Sequence, residues 1–191
     1  MVYSDIDIKR LLEYGKSKKS CGEWIIVTGE MFSPEKQIQP ASIDLRLGNE
    51  FAEFKYNREL SIKDRNVDMQ ISKFDTFRLS SGSFVLGTTI ERVELGDQIV
   101  GRIEGKSSLG RIGLAAHVTA GFIDPGFCGQ ITLELYNVSP HTIVLVPGCF
   151  ICQLALMKCT SKSINPYGSD GLESLYQNQL GVTPIRKKEM V

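Results

Sequence analysis

From position 24 onward the chain is built of short runs in which apolar and polar residues alternate. Trp24-Ile25-Ile26-Val27, Ser42 to Leu47, Glu50 to Tyr56 and Ser83 to Thr89 are rich in β-branched or aromatic residues. Gln98 to Ile103, Gln130 to Tyr136, Thr142 to Val146 and Phe150 to Met157 continue the pattern, and Gly, Pro, Asn and Ser punctuate the gaps. Successive side chains of a strand point to opposite faces, so each run offers one face to a core. Many short strands with turns between them predict an all-β barrel or jelly roll.

Two places break this pattern. Ser4 is a suitable helix N-cap, with Asp7 three residues on as an acidic stand-in for the capping-box glutamate. This predicts a short amphipathic helix through Leu11 and Leu12, ended by Gly15-Lys16-Ser17-Lys18-Lys19-Ser20. A second helical turn is expected near Ser107 to Ile112. Asn57 to Phe74 is charged and poor in apolar residues, which predicts a loop or an extended excursion. Residues 162–191 are polar, with Gly168, Gly171, Gly181 and Pro184 among them. Such a segment buries little by itself and is expected to order when a ligand arrives. The organisation is therefore one β domain over 1–161 and a tail over 162–191 that closes over the active site.

Composition narrows the function. At 191 residues and 42% hydrophobic, the chain is long enough for one core. Lys plus Arg and Asp plus Glu balance at 22 each, which gives no general attraction to nucleic acid or an anionic membrane. Any binding of phosphate must come from a local cluster of donors. The N-terminus carries no basic region followed by an apolar one, and no apolar run approaches the roughly 20 residues that span a bilayer. A cytoplasmic protein is expected. Five cysteines are too few and too unevenly placed for a disulfide framework in a chain this long. Cys149-Phe150-Ile151-Cys152 has the spacing of half a zinc site, but no second pair follows, and His117 and His141 are the only histidines. The pair falls in a strand, where residues three apart face opposite ways, so both read as ordinary core cysteines.

Three segments could carry chemistry. Gly105-Lys106-Ser107-Ser108-Leu109-Gly110-Arg111 gathers two cations and two hydroxyls between glycines. It reads either as a phosphate-binding turn or as a solvated basic one. It is not a P-loop, because only three residues separate Gly101 from Gly105. In Gln130 to Asn137, alternation puts Ile131, Leu133 and Leu135 on one face and Gln130, Thr132, Glu134 and Tyr136 on the other. Glu134 is then either a solvent-facing edge residue or a buried general base. In Thr119 to Phe127, Asp124-Pro125-Gly126 is a turn by composition. Asp124 either holds that turn or accepts a sugar hydroxyl.

Taken together these segments resemble the dCTP deaminases, relatives of the trimeric dUTPases. The resemblance rests on the Gly-Lys-Ser-Ser-Leu-x-Arg loop, Thr119-Ala120-x-x-Ile123-Asp124-Pro125-Gly126, and Glu134 before Tyr136-Asn137, all in order. Further matches are Ser42-Ile43-Asp44-Leu45-Arg46-Leu47, Pro147-Gly148, Pro166-Tyr167-Gly168 and Tyr176-Gln177-Asn178-Gln179. They span nearly the whole chain.

The resemblance implies a distorted jelly-roll or β-barrel of the trimeric dUTPase type, and a homotrimer with sites between subunits. Ser107, Ser108 and Arg111 would enter a site from one subunit; Ala120, Ile123, Asp124, Glu134 and the tail would come from its neighbour. Glu134 would take the proton of the water that attacks cytosine C4 of dCTP. Ser107 and the Ala120 backbone would position that water, and Arg111 would keep Glu134 charged. Asp124 would accept the 3′-hydroxyl, and Ile123 would lie where a 2′-hydroxyl has no room. Lys106, Ser108, Tyr167 and Gln179 would hold the phosphates, with Mg2+ bound through them and no zinc. Zinc deaminases carry H-x-E and P-C-x-x-C; here Val118 and Thr119 follow His117, and Gly148 separates Pro147 from Cys149.

Two departures from the family pattern bear on the product. Leu175 stands where many members have a lysine that grips terminal phosphates. Gly121-Phe122 stands where members that release dUTP have His-Arg, and Gly followed by an aromatic residue resembles members that go on to dUMP and pyrophosphate. The alternatives are a deaminase that stops at dUTP, a plain dUTPase, and a nucleotide-binding trimer without catalysis. Glu134 and Arg111 speak against the dUTPase.

Overall fold

The computed structural model describes residues 1–17, 22–56, 59–62 and 67–186. The first element is helix α1 (Asp5–Ser17), longer at its C-terminal end than the capping pattern alone suggests. Asp7 accepts from the Ser4 amide at 3.3 Å and from the Ser4 hydroxyl at 3.0 Å, which fixes the helix start. Ile8 and Leu11 point into the core. Lys18, Lys19 and Ser20, expected to end the helix, lie outside the described residues.

The strands follow as β1 (Ile25–Thr28), β2 (Ile38–Gln39), β3 (Ser42–Arg46), β4 (Glu50–Phe54), β5 (Met69–Lys73) and β6 (Phe77–Leu79). Then come β7 (Phe84–Leu95), β8 (Ile99–Gly105), β9 (Leu114–Ala115), β10 (Phe122–Ile123), β11 (Cys128–Asn137), β12 (Ile143–Leu145) and β13 (Phe150–Lys158). A short helix α2 (Pro34–Gln37) precedes β2, and α3 (Ser107–Gly110) follows β8. One sheet runs β5-β4-β7-β11-β9, with β1 also on β7; a second runs β10-β8-β13-β3-β2; β12 and β6 form a ribbon. The named strand pairs are antiparallel. This is a mainly β fold of antiparallel sheets.

Each strand expected from alternation is present. The structure corrects the sequence reading in three places. Proline at the first turn makes α2 a third helix, hidden by its length of four residues. Within Asn57 to Phe74, read as a loop or an extended excursion, β5 is a strand that pairs with β4 over five residues. Its side chains are mostly exposed, so it lacks the apolar signature of a core strand. Residues 57–58 and 63–66 of that stretch lie outside the described residues. Finally, the tail, expected to bury little by itself, packs Val182 (4% exposed) and Gln179 (6% exposed) against the β domain.

The core lies between the sheets and is closed by α1. Leu133 and Leu135 of β11 are fully buried, as are Ile43, Leu45, Leu154 and Ile99. Phe51 stacks on Phe77 with centroids 4.6 Å apart. Each such side chain withdrawn from water contributes roughly 1.5–3 kcal/mol. A buried polar group ties the two sheets together. The Glu91 carboxylate of β7 accepts from the Arg46 amide at 2.8 Å and from its guanidinium at 3.1 Å. The Gln37 side-chain amide bridges the Asp44 carbonyl and Glu91, at 2.8 Å each. Here a charge out of water is matched by charge and hydrogen bonds together. The network holds β3, which carries Asp44, against the sheet that carries Glu134.

Candidate active site

Strand β11 shows how local pattern becomes a site. Its apolar face is buried, and Gln130, Thr132, Glu134 and Tyr136 alternate on the other. The register with β7 slips between Gln130 and Thr132. Such a bulge leaves backbone groups unpaired and re-aims the residues beyond it. The Thr89 hydroxyl accepts from the freed Ile131 amide at 2.9 Å. The Gln130 side-chain amide donates to the Thr89 and Ile90 carbonyls at 2.9 and 3.0 Å. The bulge is thus fully satisfied, and Glu134 leaves it facing a cavity of about 460 Å³.

That cavity is lined by His117, Ala120, Phe122, Ile123, Asp124, Thr132 and Glu134 from the β domain. Tyr167, Tyr176, Gln179, Thr183 and Ile185 close it from the tail. Glu134 is partly buried, and its Oε2 accepts from the Thr119 amide at 2.9 Å. Among the described residues its Oε1 accepts no hydrogen bond. Asp124 takes part in the expected turn and also reaches the cavity. Its carbonyl accepts from the Phe127 amide at 3.2 Å, closing a turn in which Gly126 takes a φ of 86°. That angle suits glycine at the third turn position after proline. The Asp124 side chain is exposed on the cavity wall.

Six of the expected site residues therefore meet at one cavity: Ala120, Ile123, Asp124, Glu134, Tyr167 and Gln179. The other four do not. Lys106 donates to the buried Asp44 carboxylate at 2.7 Å, and Gln153 donates to the other Asp44 oxygen at 3.3 Å. Ser107 and Ser108 open α3 with exposed side chains. Arg111 is exposed and lines a separate groove with Ser139 and His141.

A family model described as dCTP deaminase-like matches residues 13–159. The chain belongs to the dCTP deaminase-like family. A dUMP-forming dCTP deaminase of Dictyoglomus turgidum is 46% identical over 190 residues, 96% of this chain and 93% of that protein. One of Mycolicibacterium vanbaalenii is 50% identical over 155 residues, 78% of this chain and 82% of that protein. The crystal structure of 2′-deoxycytidine 5′-triphosphate deaminase from Agrobacterium tumefaciens superposes with a TM-score of 0.61 at 21% identity. It shares the fold over 81% of this chain and 47% of its own.

Within this family frame, the cavity contains residues that spacing alone did not single out. His117 lines it with both ring nitrogens buried and without a hydrogen-bond partner among the described residues. Thr119 anchors Glu134, and Tyr176 and Thr183 form walls. A lone histidine and scattered hydroxyls leave no periodic trace, so only the folded chain brings them together. Gln179 is also more specific than its sequence context suggested. Its Nε2 donates to the Gln130 carbonyl at 2.6 Å, and its Oε1 is buried without a partner among the described residues.

The two other features singled out from sequence resolve differently. The expectation of two core cysteines holds only for Cys152, which is buried in β13; Cys149 lies just before that strand and is exposed. Burial pushes the Cys152 thiol well above its ordinary pKa, which disfavours the thiolate. Gly121 does not open space beside the cavity. A Cβ there would come within 2.9 Å of the Ile103 carbonyl and 3.2 Å of the His117 ring, so backbone packing accounts for glycine.

Proposed function

We propose that this protein deaminates dCTP and cleaves the triphosphate, giving dUMP, pyrophosphate and ammonia. The observation that carries the reading is the placement of Glu134. It lies on the cavity-facing side of a rigid strand, beside Ala120, Ile123 and Asp124, in a chain 46% identical to a dUMP-forming relative over nearly its whole length.

In this mechanism Thr119 holds one Glu134 oxygen and leaves the other to accept a proton. Glu134 takes it from a water attacking C4 and delivers it to N3, then takes the proton of the resulting C4 hydroxyl and passes it to the departing ammonia as the carbonyl forms. Ser107 and the Ala120 backbone place the water, and Arg111 favours the ionised carboxylate. Asp124 accepts the 3′-hydroxyl, with Ile123 against the deoxyribose. A second water then attacks the α-phosphorus, and pyrophosphate leaves. That step needs positioning and charge neutralisation more than covalent help.

The active unit is a homotrimer in the cytoplasm acting on free nucleotides. Each site draws Ser107, Ser108 and Arg111 from one subunit and the Glu134 cavity with its tail from the next. The exposed Ile112 and Val138 near Arg111, at 53% and 65%, and Phe122 at the cavity, at 61%, fit surfaces that a neighbouring subunit covers. Mg2+ neutralises the phosphates and is held through them. The loop itself supports this, since it offers amides, hydroxyls and a cation, and the carboxylate that meets it, Asp44, is already committed to Lys106 and Gln153.

Two measurements test the chemistry. Phosphorus NMR of a dCTP reaction should show pyrophosphate rising in step with ammonia and dUMP. Ammonia release with an intact triphosphate would instead mean a deaminase that stops at dUTP. Separately, activity should survive exhaustive removal of zinc and fall when magnesium is withdrawn. Stoichiometric zinc in the purified protein, with turnover following its loss and return, would overturn the zinc-free mechanism.

A further inference from the structure

Three successive amides of the tail are each received by a side chain of the β domain. The Gly181 amide donates to Gln130 Oε1 at 2.6 Å, the Val182 amide to Glu50 Oε2 at 3.1 Å, and the Thr183 amide to Thr132 Oγ1 at 3.1 Å. Backbone pairing in register stops just before them, at a single parallel bridge between Gly129 and Gln179. Beyond that point the tail is held by side-chain acceptors from β4 and β11.

We infer that Glu50, Gln130 and Thr132 form a dock that reads the tail backbone at 181–183 and thereby positions the tail wall of the nucleotide cavity. The inference rests on the proposed function only in taking that cavity as the nucleotide site.

Several features make the dock specific in register. Gln130 has no freedom to accept elsewhere, because its amide nitrogen is fixed by the Thr89 and Ile90 carbonyls at the bulge. Its carbonyl oxygen is therefore aimed, and the same residue that satisfies the bulge before Glu134 receives the tail. Gly181 has a φ of 69°, and a Cβ there would collide with the Glu50 carboxylate. Only glycine lets the backbone enter at this point. A slip of one residue would put a side chain against Glu50 and leave the Gln130 acceptor without its amide. On either side of the dock sit Gln179, Thr183 and Ile185, which line the cavity. Gln130 and Glu50 are not part of its lining, so both are positioning residues and act through the tail.

The dock implies that its loss weakens nucleotide binding and spares the chemical step. Gly181→Ala tests this from the tail side, where the β core is untouched. Hydrogen exchange on the full-length protein, without nucleotide, should show peptides covering 178–185 exchanging at least tenfold faster. The KM for dCTP should rise about tenfold, with kcat changed by less than threefold. Thr132→Val, which removes one acceptor at nearly constant shape, should speed exchange at Thr183, and Thr132→Ser should restore protection. Unchanged exchange in Gly181→Ala and in Thr132→Val would overturn the dock. So would a fall in kcat at constant KM. The exchange measurement reads the dock directly, so a chain that turned over no dCTP would defeat the proposed function and leave the dock to be judged on exchange alone.

Discussion

Glu134→Gln should lose deamination by about 10^2- to 10^4-fold in kcat, the usual contribution of a positioned general base. Nucleotide binding and assembly should remain near those of the unaltered protein. The amide is almost the same shape, and its oxygen can still accept from the Thr119 amide that now meets Glu134 at 2.9 Å. Its NH2 group cannot take a proton from water. The site's architecture would therefore persist without its base. Ammonia release under saturating dCTP measures kcat, and calorimetry with dCTP reports the retained affinity. Turnover close to that of the unaltered protein would remove Glu134 from the mechanism, and parallel loss of binding would point to a structural role.

A mixture of two dead variants should recover activity. Arg111→Ala and Glu134→Ala are each expected to be nearly inactive, because one removes the guanidinium and the other the base from every site. Within one chain Arg111 does not line the Glu134 cavity, and it sits in a different groove with Ser139 and His141. If each site takes Arg111 from one subunit and Glu134 from the next, a mixed ring contains intact combinations. With equal amounts and full exchange, half of the Arg111 donors and half of the Glu134 donors are intact. About a quarter of the sites should then work, as cyclic symmetry requires. The comparison is between variants refolded together and variants mixed after refolding apart. If subunit exchange is demonstrated and no activity returns, both residues serve one chain's own site.

The alternation of β11 was legible because a strand half in the core must repeat every two residues. Leu133 and Leu135 are fully buried as expected, and Glu134 stands between them on the opposite face. The Asp124-Pro125-Gly126 turn was equally legible, since its backbone angles are set by proline and glycine themselves. Strand β5 was not, because an edge strand with both faces largely wet has no reason to alternate. Nor was α2, which depends on Gln37 reaching Glu91 across a sequence separation of 54 residues.

The site divides along the same line. The chain's order of motifs placed Ala120, Ile123, Asp124 and Glu134 together through resemblance, and the cavity contains all four. The tail was read as waiting for a ligand because its composition cannot form a core. The structure packs it on the β domain, where three side-chain acceptors receive its backbone amides and Gly181 lets the backbone come close to them. Lys106 shows the limit from the other direction. Its charge suggested phosphate, yet the folded chain brings it to Asp44, 62 residues away, in a partly buried ion pair. Local sequence determined the strands, the turn and the polar face that carries Glu134, because those depend on neighbours within a few residues. Which charges are already neutralised, which amides the tail spends, and which residues share a cavity were decided only by tertiary structure, because each depends on partners that are distant in the chain.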